Sequence, residues 1–174
     1  AAATNVQSVF AIDVDGDGDV DLLSASYDID TIAWYENDGS QSFTERIIYV
    51  LADGVVKVFA ADVDGDGDVD ALTASWLGGD IVWLENDGSQ SFSDHIVRAS
   101  VGFAVRRAFA VDVDGDVDVD VLSASWGDHM IAWYENDGSQ SFTERVITTL
   151  RNYAHDVVGV DVDGDGDVDA LSAS

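Results

Sequence analysis

Short apolar runs alternate with clusters of Gly, Asn and Asp along the whole chain. In the first fifty residues these runs predict four strands, at about residues 8–12, 20–26, 32–36 and 43–50. The runs are rich in Val, Ile, Thr and aromatic residues, and they are too short for amphipathic helices. Because successive positions within a run are apolar, we expect both faces of the sheet to be covered.

The pattern repeats along the chain. The stretch "AIDVDGDGDVDLLSAS" at residues 11–26 recurs in close variants that begin at residues 60, 110 and 159. A second stretch, "IAWYENDGSQSFTERII" at residues 32–48, recurs from residues 81 and 131. A four-stranded antiparallel unit of about 40 to 50 residues, repeated in tandem, predicts an all-β propeller in which each unit is one blade. A stacked solenoid of hairpins is the alternative.

Four first halves and three second halves make about three and a half blades in a single repeat domain. The predicted units are residues 5–53, 54–103 and 104–152, with a half unit at 153–174. Because propellers usually close with four to eight blades, we expect either that copies associate or that the chain belongs to a longer protein. The count favours a homo-oligomeric ring of seven or eight blades built from two chains.

The net charge of the chain limits the classes of molecule that it is expected to bind. The 174 residues contain 35 acids and 7 Lys or Arg, which gives a net charge of −28. Such a charge repels nucleic acids and anionic membranes, and no apolar run is long enough to cross a bilayer. Twenty of the acids lie in the four "DVDGDGDVD"-type loops. Clusters of this density require counter-cations.

Carboxylates at alternate positions of a tight loop can point inward together and bind Ca²⁺, a hard cation that takes six to eight oxygen ligands. In each loop we predict four carboxylate ligands, one backbone carbonyl ligand and a turn at a central glycine such as Gly18. The predicted carboxylate ligands are Asp13, Asp15, Asp17 and Asp21; Asp62, Asp64, Asp66 and Asp70; Asp112, Asp114, Asp116 and Asp120; and Asp161, Asp163, Asp165 and Asp169. The predicted carbonyl ligands are Asp19, Asp68, Asp118 and Asp167.

Two other calcium motifs do not fit. An EF-hand requires a bidentate acid at its twelfth position and flanking helices, whereas Ser24 and Thr73 stand there, inside predicted strands. The nonapeptide repeat of calcium-binding β-helices recurs every nine residues, far more often than these loops. Solvated acidic turns without metal are the remaining alternative, and mutual repulsion would open them.

The third loop departs from the others because Val117 replaces the glycine found at Gly18, Gly67 and Gly166. A positive φ angle at this position would cost a β-branched residue about 1 to 2 kcal/mol. We therefore predict three strong sites and a weaker or distorted third one.

These residues resemble the FG-GAP or VCBS-type repeats of integrin α-chain heads, some fungal propeller lectins and many secreted bacterial proteins. The D-x-D-x-D-G-x-x-D calcium loop of that family joins the first two strands of a blade, as "DVDGDGDVD" would here. The resemblance covers essentially the whole chain, although the literal FG and GAP tripeptides are absent. It implies a calcium-stabilised propeller outside the cell.

A ligand site is expected on the propeller face away from the acidic loops. Aromatic residues recur there beside acids and suit the stacking of a sugar ring, and much of the scarce positive charge lies nearby, suited to an acidic sugar or another carboxylate. The candidate residues are Tyr27, Trp76, Trp126, Arg106, Arg107 and Arg151. Packing between blades and ion pairs with neighbouring acids are the alternatives.

The favoured function is a calcium-stabilised extracellular module that binds glycans or proteins in adhesion. No nucleophile and base stand out, and the recurring Glu36, Glu85 and Glu135 fit blade architecture better than catalysis. The alternatives are the propeller part of a secreted polysaccharide-degrading enzyme and a purely structural, self-assembling repeat fragment.

Overall fold

The computed structural model describes residues 4–50, 53–99, 104–149 and 153–174. Within these ranges the chain forms fourteen β-strands. They are β1 Val6–Ile12, β2 Asp21–Ser26, β3 Thr31–Asn37, β4 Phe43–Val50, β5 Val55–Ala61, β6 Asp70–Ser75, β7 Ile81–Asn86, β8 Phe92–Arg98, β9 Val105–Val111, β10 Asp120–Ser125, β11 Met130–Asn136, β12 Phe142–Thr149, β13 Asp156–Val160 and β14 Asp169–Ala173. No helix that could cross a membrane is found in the described ranges.

The strands form three four-stranded antiparallel sheets and one two-stranded sheet. Each strand pairs with the next in sequence, in the orders β1-β2-β3-β4, β5-β6-β7-β8, β9-β10-β11-β12 and β13-β14. These are the blades of a β-propeller, about three and a half per chain. The fold prediction is confirmed, and the four strands expected in the first unit agree with β1 to β4 to within two residues.

The first strand of each blade lies innermost. Phe10, Phe59 and Phe109 occupy matching positions on β1, β5 and β9, and their rings are in contact across the blades. The ring centroids are 5.0 Å apart for the first pair and 4.9 Å for the second. The inner strands therefore stand side by side, and the later strands of each blade fan outward.

The hydrophobic core lies between the blades rather than within any one of them. Trp34 and Trp83, on the third strands of the first two blades, are fully buried at 0% exposure. Separate buried clusters fill the spaces between blades one and two, two and three, and three and four. The expectation that both faces of each sheet are covered is confirmed, and it explains why apolar residues follow each other without alternation.

The half blade exposes an apolar surface. Leu171 on β14 is 48% exposed, whereas its equivalent Leu23 on β2 is 1% exposed. Val162, which precedes β14, is 58% exposed. In the other blades a third strand and a neighbouring blade cover these positions. Ring closure by a second copy remains a prediction.

Antiparallel order separates the connections between two faces. The β1–β2 and β3–β4 connections and their equivalents lie at one end of the strands, here named the loop face. The β2–β3 connections and their equivalents, with the links between blades, lie at the other end, named the opposite face. The predicted metal ligands therefore stand about one strand length from the predicted ligand site.

Candidate metal centres and a cleft on the opposite face

Each acidic loop is folded around its first aspartate. In the first loop the Asp13 carboxylate accepts hydrogen bonds from the backbone N–H groups of Gly16, at 2.8 Å, and Gly18, at 2.9 Å. The same pair of bonds recurs at Asp62, Asp112 and Asp161. The loop is closed because one carboxylate satisfies two N–H groups that no strand partner can reach.

The loop requires a left-handed residue where Gly18 stands, as the sequence predicted. Gly18, Gly67 and Gly166 have φ angles of 95°, 99° and 98°, and Val117 has 84°. The N–H of Val117 still binds Asp112 at 3.0 Å, and its side chain is 85% exposed. The third loop therefore keeps its shape, and the valine substitution appears as backbone strain rather than as a distortion.

Carboxylate oxygens converge in all four loops to within 4.8 Å of one another. The first two loops bring together the first, third and fifth positions, and the last two bring together the first, third and ninth. The groups are Asp13, Asp15 and Asp17; Asp62, Asp64 and Asp66; Asp112, Asp114 and Asp120; and Asp161, Asp163 and Asp169. Each of the four predicted carboxylate positions thus occurs in at least one group. Val117 does not explain why the last two loops use the ninth position, because the fourth loop has glycine at the position of Val117.

The seventh position of the loop has a different role for its side chain. The Asp19 carboxylate lies against Gly39 in the "NDGSQS" turn that joins β3 and β4, so closely that any side chain at Gly39 would collide with it. Asp68 and Asp118 lie in the same way against Gly88 and Gly138. Their carboxylates connect the loop to the neighbouring hairpin, which leaves the backbone carbonyl as the predicted metal ligand.

The ninth position carries a buried carboxylate that connects three segments. Asp70, at the start of β6 and 1% exposed, accepts bonds from the N–H of Val63 at 2.9 Å and the N–H of Asn86 at 2.8 Å. Burial raises its pKa to about 6, and these two hydrogen bonds and the Trp83 indole act in the opposite direction. Burial likewise raises the pKa of Asp120.

The third position of the loop is also perturbed. The pKa values of Asp15, Asp64 and Asp114 are raised by desolvation, and the negative charges of neighbouring aspartates add to the shift. A cation between the carboxylates would favour their charged forms. The donor atoms are all oxygens, they lie close together, and the carboxylates among them carry several negative charges. This set fits a hard divalent cation such as Ca²⁺.

The first loop is also contacted by the following blade. The Asn86 side chain donates to the carbonyl of Val14 at 3.4 Å, and that of Gln90 approaches the Asp15 carboxylate at 3.5 Å. Asn86 is 2% exposed. The first loop and the second hairpin are therefore packed together, and sequence reasoning missed this contact because nothing in a repeat unit shows which neighbour its turn touches.

On the opposite face, residues of the first three blades line a cleft of about 290 Å³. It is lined by Asn5, Gln7, Tyr27, Val56, Trp76 and Arg106. Three of the six predicted ligand-site residues, Tyr27, Trp76 and Arg106, thus share one cavity. The Arg106 guanidinium lies over the Trp76 ring, with its central carbon 4.2 Å from the ring centroid.

Bulges in the inner strands aim side chains into this cleft. In β1, β5 and β9 one extra residue interrupts the pairing with the next strand, and the extra residues are Gln7, Val56 and Arg106. A β-bulge reorients the side chain it carries. The three residues have little in common chemically, so their shared position at the bulge could not be predicted from residue type.

A family model described as an FG-GAP-like repeat matches residues 13–73 and 112–172, which together are more than half of the chain. The chain belongs to the FG-GAP-like repeat family. Each match contains two of the acidic loops, and the second match includes the loop with Val117. The family resemblance inferred from the sequence is confirmed. No curated protein matches the chain.

Solved structures show the same fold for these FG-GAP-like repeats. One is an Agrocybe aegerita lectin with specific recognition of non-reducing terminal N-acetylglucosamine, with a TM-score of 0.66, 18% identity, and coverage of 98% of this chain and 48% of that one. Another is BBS1N in complex with ARL6DN, with a TM-score of 0.59, 10% identity, and coverage of 91% and 48%. The chain thus spans about half the length of each.

The other predicted ligand residues of this FG-GAP-like chain lie outside the cleft. Trp126 packs between Trp76, at 5.2 Å, and Tyr153, at 4.0 Å between ring centroids. Arg107 pairs with Asp156 at 3.2 Å on the side of the fourth blade. Arg151 lies outside the described residues.

The acids that follow the aromatic residues also have structural partners. Asp30 accepts a bond from the N–H of Gly54 at 2.6 Å, and Asp128 pairs with Arg98 at 2.6 Å. Both contacts connect adjacent blades. The expected combination of an aromatic platform with a free carboxylate is therefore not formed at these two positions, since blade packing uses the acids.

Relief of the strain at Val117 is expected to strengthen the third site. If calcium binds the closed loop, the Val117→Gly change removes about 1 to 2 kcal/mol of strain from that state, partly offset by about 0.5 to 1 kcal/mol of glycine backbone entropy. Because Val117 is exposed, no packing is lost. We expect up to a ten-fold gain in affinity at one site in a competition titration with a chromophoric chelator. Gly67→Val is the reciprocal control and should weaken the second site; unchanged affinities in both variants would contradict this account.

Asp70 is expected to make the stability of the metal-free protein depend on pH. A carboxyl with a raised folded-state pKa binds its proton more tightly in the folded protein. Its contribution to the free energy of unfolding therefore decreases as the pH rises from about 4 to about 6, and it is constant at higher pH. Calcium binding needs the ionised form, so calcium affinity should fall as pH drops below about 6.

Thermal unfolding in chelator at stepped pH measures the first effect, and calcium titration over the same range measures the second. Asp70→Asn should remove that part of the pH dependence. Asp94→Asn, an exposed change on β8, is the control. A slope that persists in Asp70→Asn would assign the effect to other groups.

Proposed function

We propose that this chain is a calcium-stabilised propeller module that binds glycans and has no catalytic role. The four convergent carboxylate groups support calcium as the ion, since the donors are all oxygen and calcium accepts the large, negatively charged ligand sets that such loops provide. We assign calcium a structural role, because each loop joins the first two strands of a blade and the first loop also contacts the next blade.

The observation that carries glycan binding is the cleft lined by residues of the first three blades. Tyr27 supplies an aromatic face for the apolar side of a sugar ring, while the Trp76 face is covered by Arg106. The amides of Asn5 and Gln7, which are bonded to each other and to Asp28, supply a polar edge for hydroxyl groups. Its volume of about 290 Å³ lies at the lower end of the range for small-ligand sites, which suits one sugar residue. The similarity in fold to a lectin is consistent with this proposal.

The repeated aromatic positions suggest several such clefts, but at the later positions the aromatic rings contact each other. Trp76 touches Trp126, and Trp126 stacks on Tyr153. Open volume is found at Tyr27 and Trp76. We therefore propose one glycan site per chain, and we place the protein outside the cell, where calcium is abundant and glycans are displayed.

We further propose that two chains associate. The exposed apolar surface of the half blade, with Leu171 and a cavity of about 260 Å³ beside it, is the surface that a neighbouring blade covers elsewhere in the fold. A ring made of two chains would also have a length similar to that of the matched structures, of which this chain covers 48%.

Native mass spectrometry in calcium-containing and calcium-depleted buffer tests assembly and metal content together. We expect a dimer with up to four calcium ions per chain, lost on depletion. Leu171→Glu should yield monomers that still bind calcium, because a charge on the apolar face opposes docking. Leu77→Glu, on the opposite face and already 52% exposed, is the matched control. A metal-free monomer in calcium buffer would overturn both proposals.

A glycan array probed with the intact calcium-loaded protein tests the ligand class. We expect binding to a defined set of terminal sugars and a loss of at least about ten-fold in Trp76→Ala, because the ring that lines the cleft and supports Arg106 is removed. Tyr153→Ala, an aromatic change on the same face but outside the cleft, should retain binding. Calcium content and unfolding temperature verify that each variant is folded. Retention of binding in Trp76→Ala would place the site elsewhere.

A further inference from the structure

Arg106 differs from the other described arginines because it has no carboxylate partner in the described part of the chain. Four of them pair with carboxylates: Arg46 with Glu36, Arg98 with Asp128, Arg107 with Asp156 and Arg145 with Glu135. In the described part of the chain, no carboxylate lies within ion-pair distance of Arg106. In a protein with a net charge of −28, an arginine without an acidic partner is unusual.

The position of Arg106 makes this charge available to a ligand. It is the extra residue of the β9 bulge, it lines the cleft, and its guanidinium covers the Trp76 ring. Its Nε atom is buried and has no hydrogen-bond partner among the described residues. Stacking on an aromatic ring fixes the plane of a guanidinium while leaving its edge free to bind.

The acidic loops do not neutralise this site. They lie at the other end of the strands, and a seven-residue strand spans about 23 Å, whereas the Debye length at physiological ionic strength is about 8 Å. The Asp28 carboxylate lies nearer, beside the Asn5 end of the cleft, where it accepts a hydrogen bond from the Asn5 amide at 2.8 Å. Arg106 is the cation among the residues that line the cleft.

We propose that the cleft selects a sugar residue that carries a carboxylate. This inference rests on the glycan-binding function proposed above and names the class of glycan. A carboxylate matches the edge of a guanidinium with two parallel hydrogen bonds, while Tyr27 accepts the ring and Trp76 holds the guanidinium in place. A neutral sugar would leave the Arg106 edge without a charged partner.

Matched sugar pairs test the proposal. Binding of methyl β-glucuronide and methyl β-glucoside, and of the corresponding galacturonide and galactoside, is measured by titration calorimetry and saturation-transfer NMR with the calcium-loaded protein. The members of each pair differ only in a carboxylate in place of a hydroxymethyl group. We expect at least one acid to bind about ten-fold or more tightly than its neutral partner, with an affinity that falls as salt increases.

Substitutions assign the preference to one side chain. Arg106→Gln should abolish the preference for the acid while calcium binding is kept, and Arg106→Lys should retain part of it, because charge remains without the planar fork. Arg107→Gln, at the adjacent position that faces Asp156, is the matched control and should preserve the preference. Calcium content and unfolding temperature exclude misfolding as the cause.

The outcomes separate this inference from the function on which it rests. Equal or tighter binding of the neutral sugars would overturn the acidic preference and keep the glycan site. A preference for acids that persists in Arg106→Gln would also overturn it, since another group would then be responsible. If no sugar of either kind binds here or on the array, the glycan-binding function itself fails.

Discussion

The buried carboxylate that begins the second strand of each of the three four-stranded blades holds the repeat together. Asp70 binds the N–H of Val63 in the acidic loop and the N–H of Asn86 at the end of β7. Asp21 and Asp120 make the same pair of bonds in their own blades. One side chain thus fixes the loop, the strand that follows and the hairpin beyond, and its burial creates a need for positive charge that the protein's own few cations do not meet.

That need connects stability to the metal. A buried carboxylate with a raised pKa favours protonation in the absence of a cation, and the loop aspartates beside it are perturbed in the same direction. A divalent cation would reverse this preference and stabilise the closed loop. Because the hairpin of the next blade touches the loop through Asn86 and Gln90, occupation of one loop would also stabilise an interface between blades.

Much of this arrangement could be read from the sequence, because a repeat presents each local requirement several times. The strands, the propeller, the apolar faces and the left-handed position at Gly18 and Val117 all follow from residue type and spacing. The contacts that the sequence did not predict join different motifs. Examples are Asp19 against Gly39, which joins two turns of one blade, and Gln90 against Asp15, which joins two blades; neither leaves a pattern within a single motif.

The same reasoning explains why the candidate ligand site was found only in part. Aromatic residues at matching positions looked equivalent in sequence, yet Trp126 packs into a stack while Tyr27 borders an open cleft. The bulge positions hold Gln7, Val56 and Arg106, which share geometry and no chemistry. In a repeat protein the common residues build the scaffold, so selectivity has to come from positions where the copies differ. Arg106 is such a position: in the described part of the chain no carboxylate pairs with its guanidinium, which lies over Trp76 in the lining of the cleft, so its charge is available to a ligand.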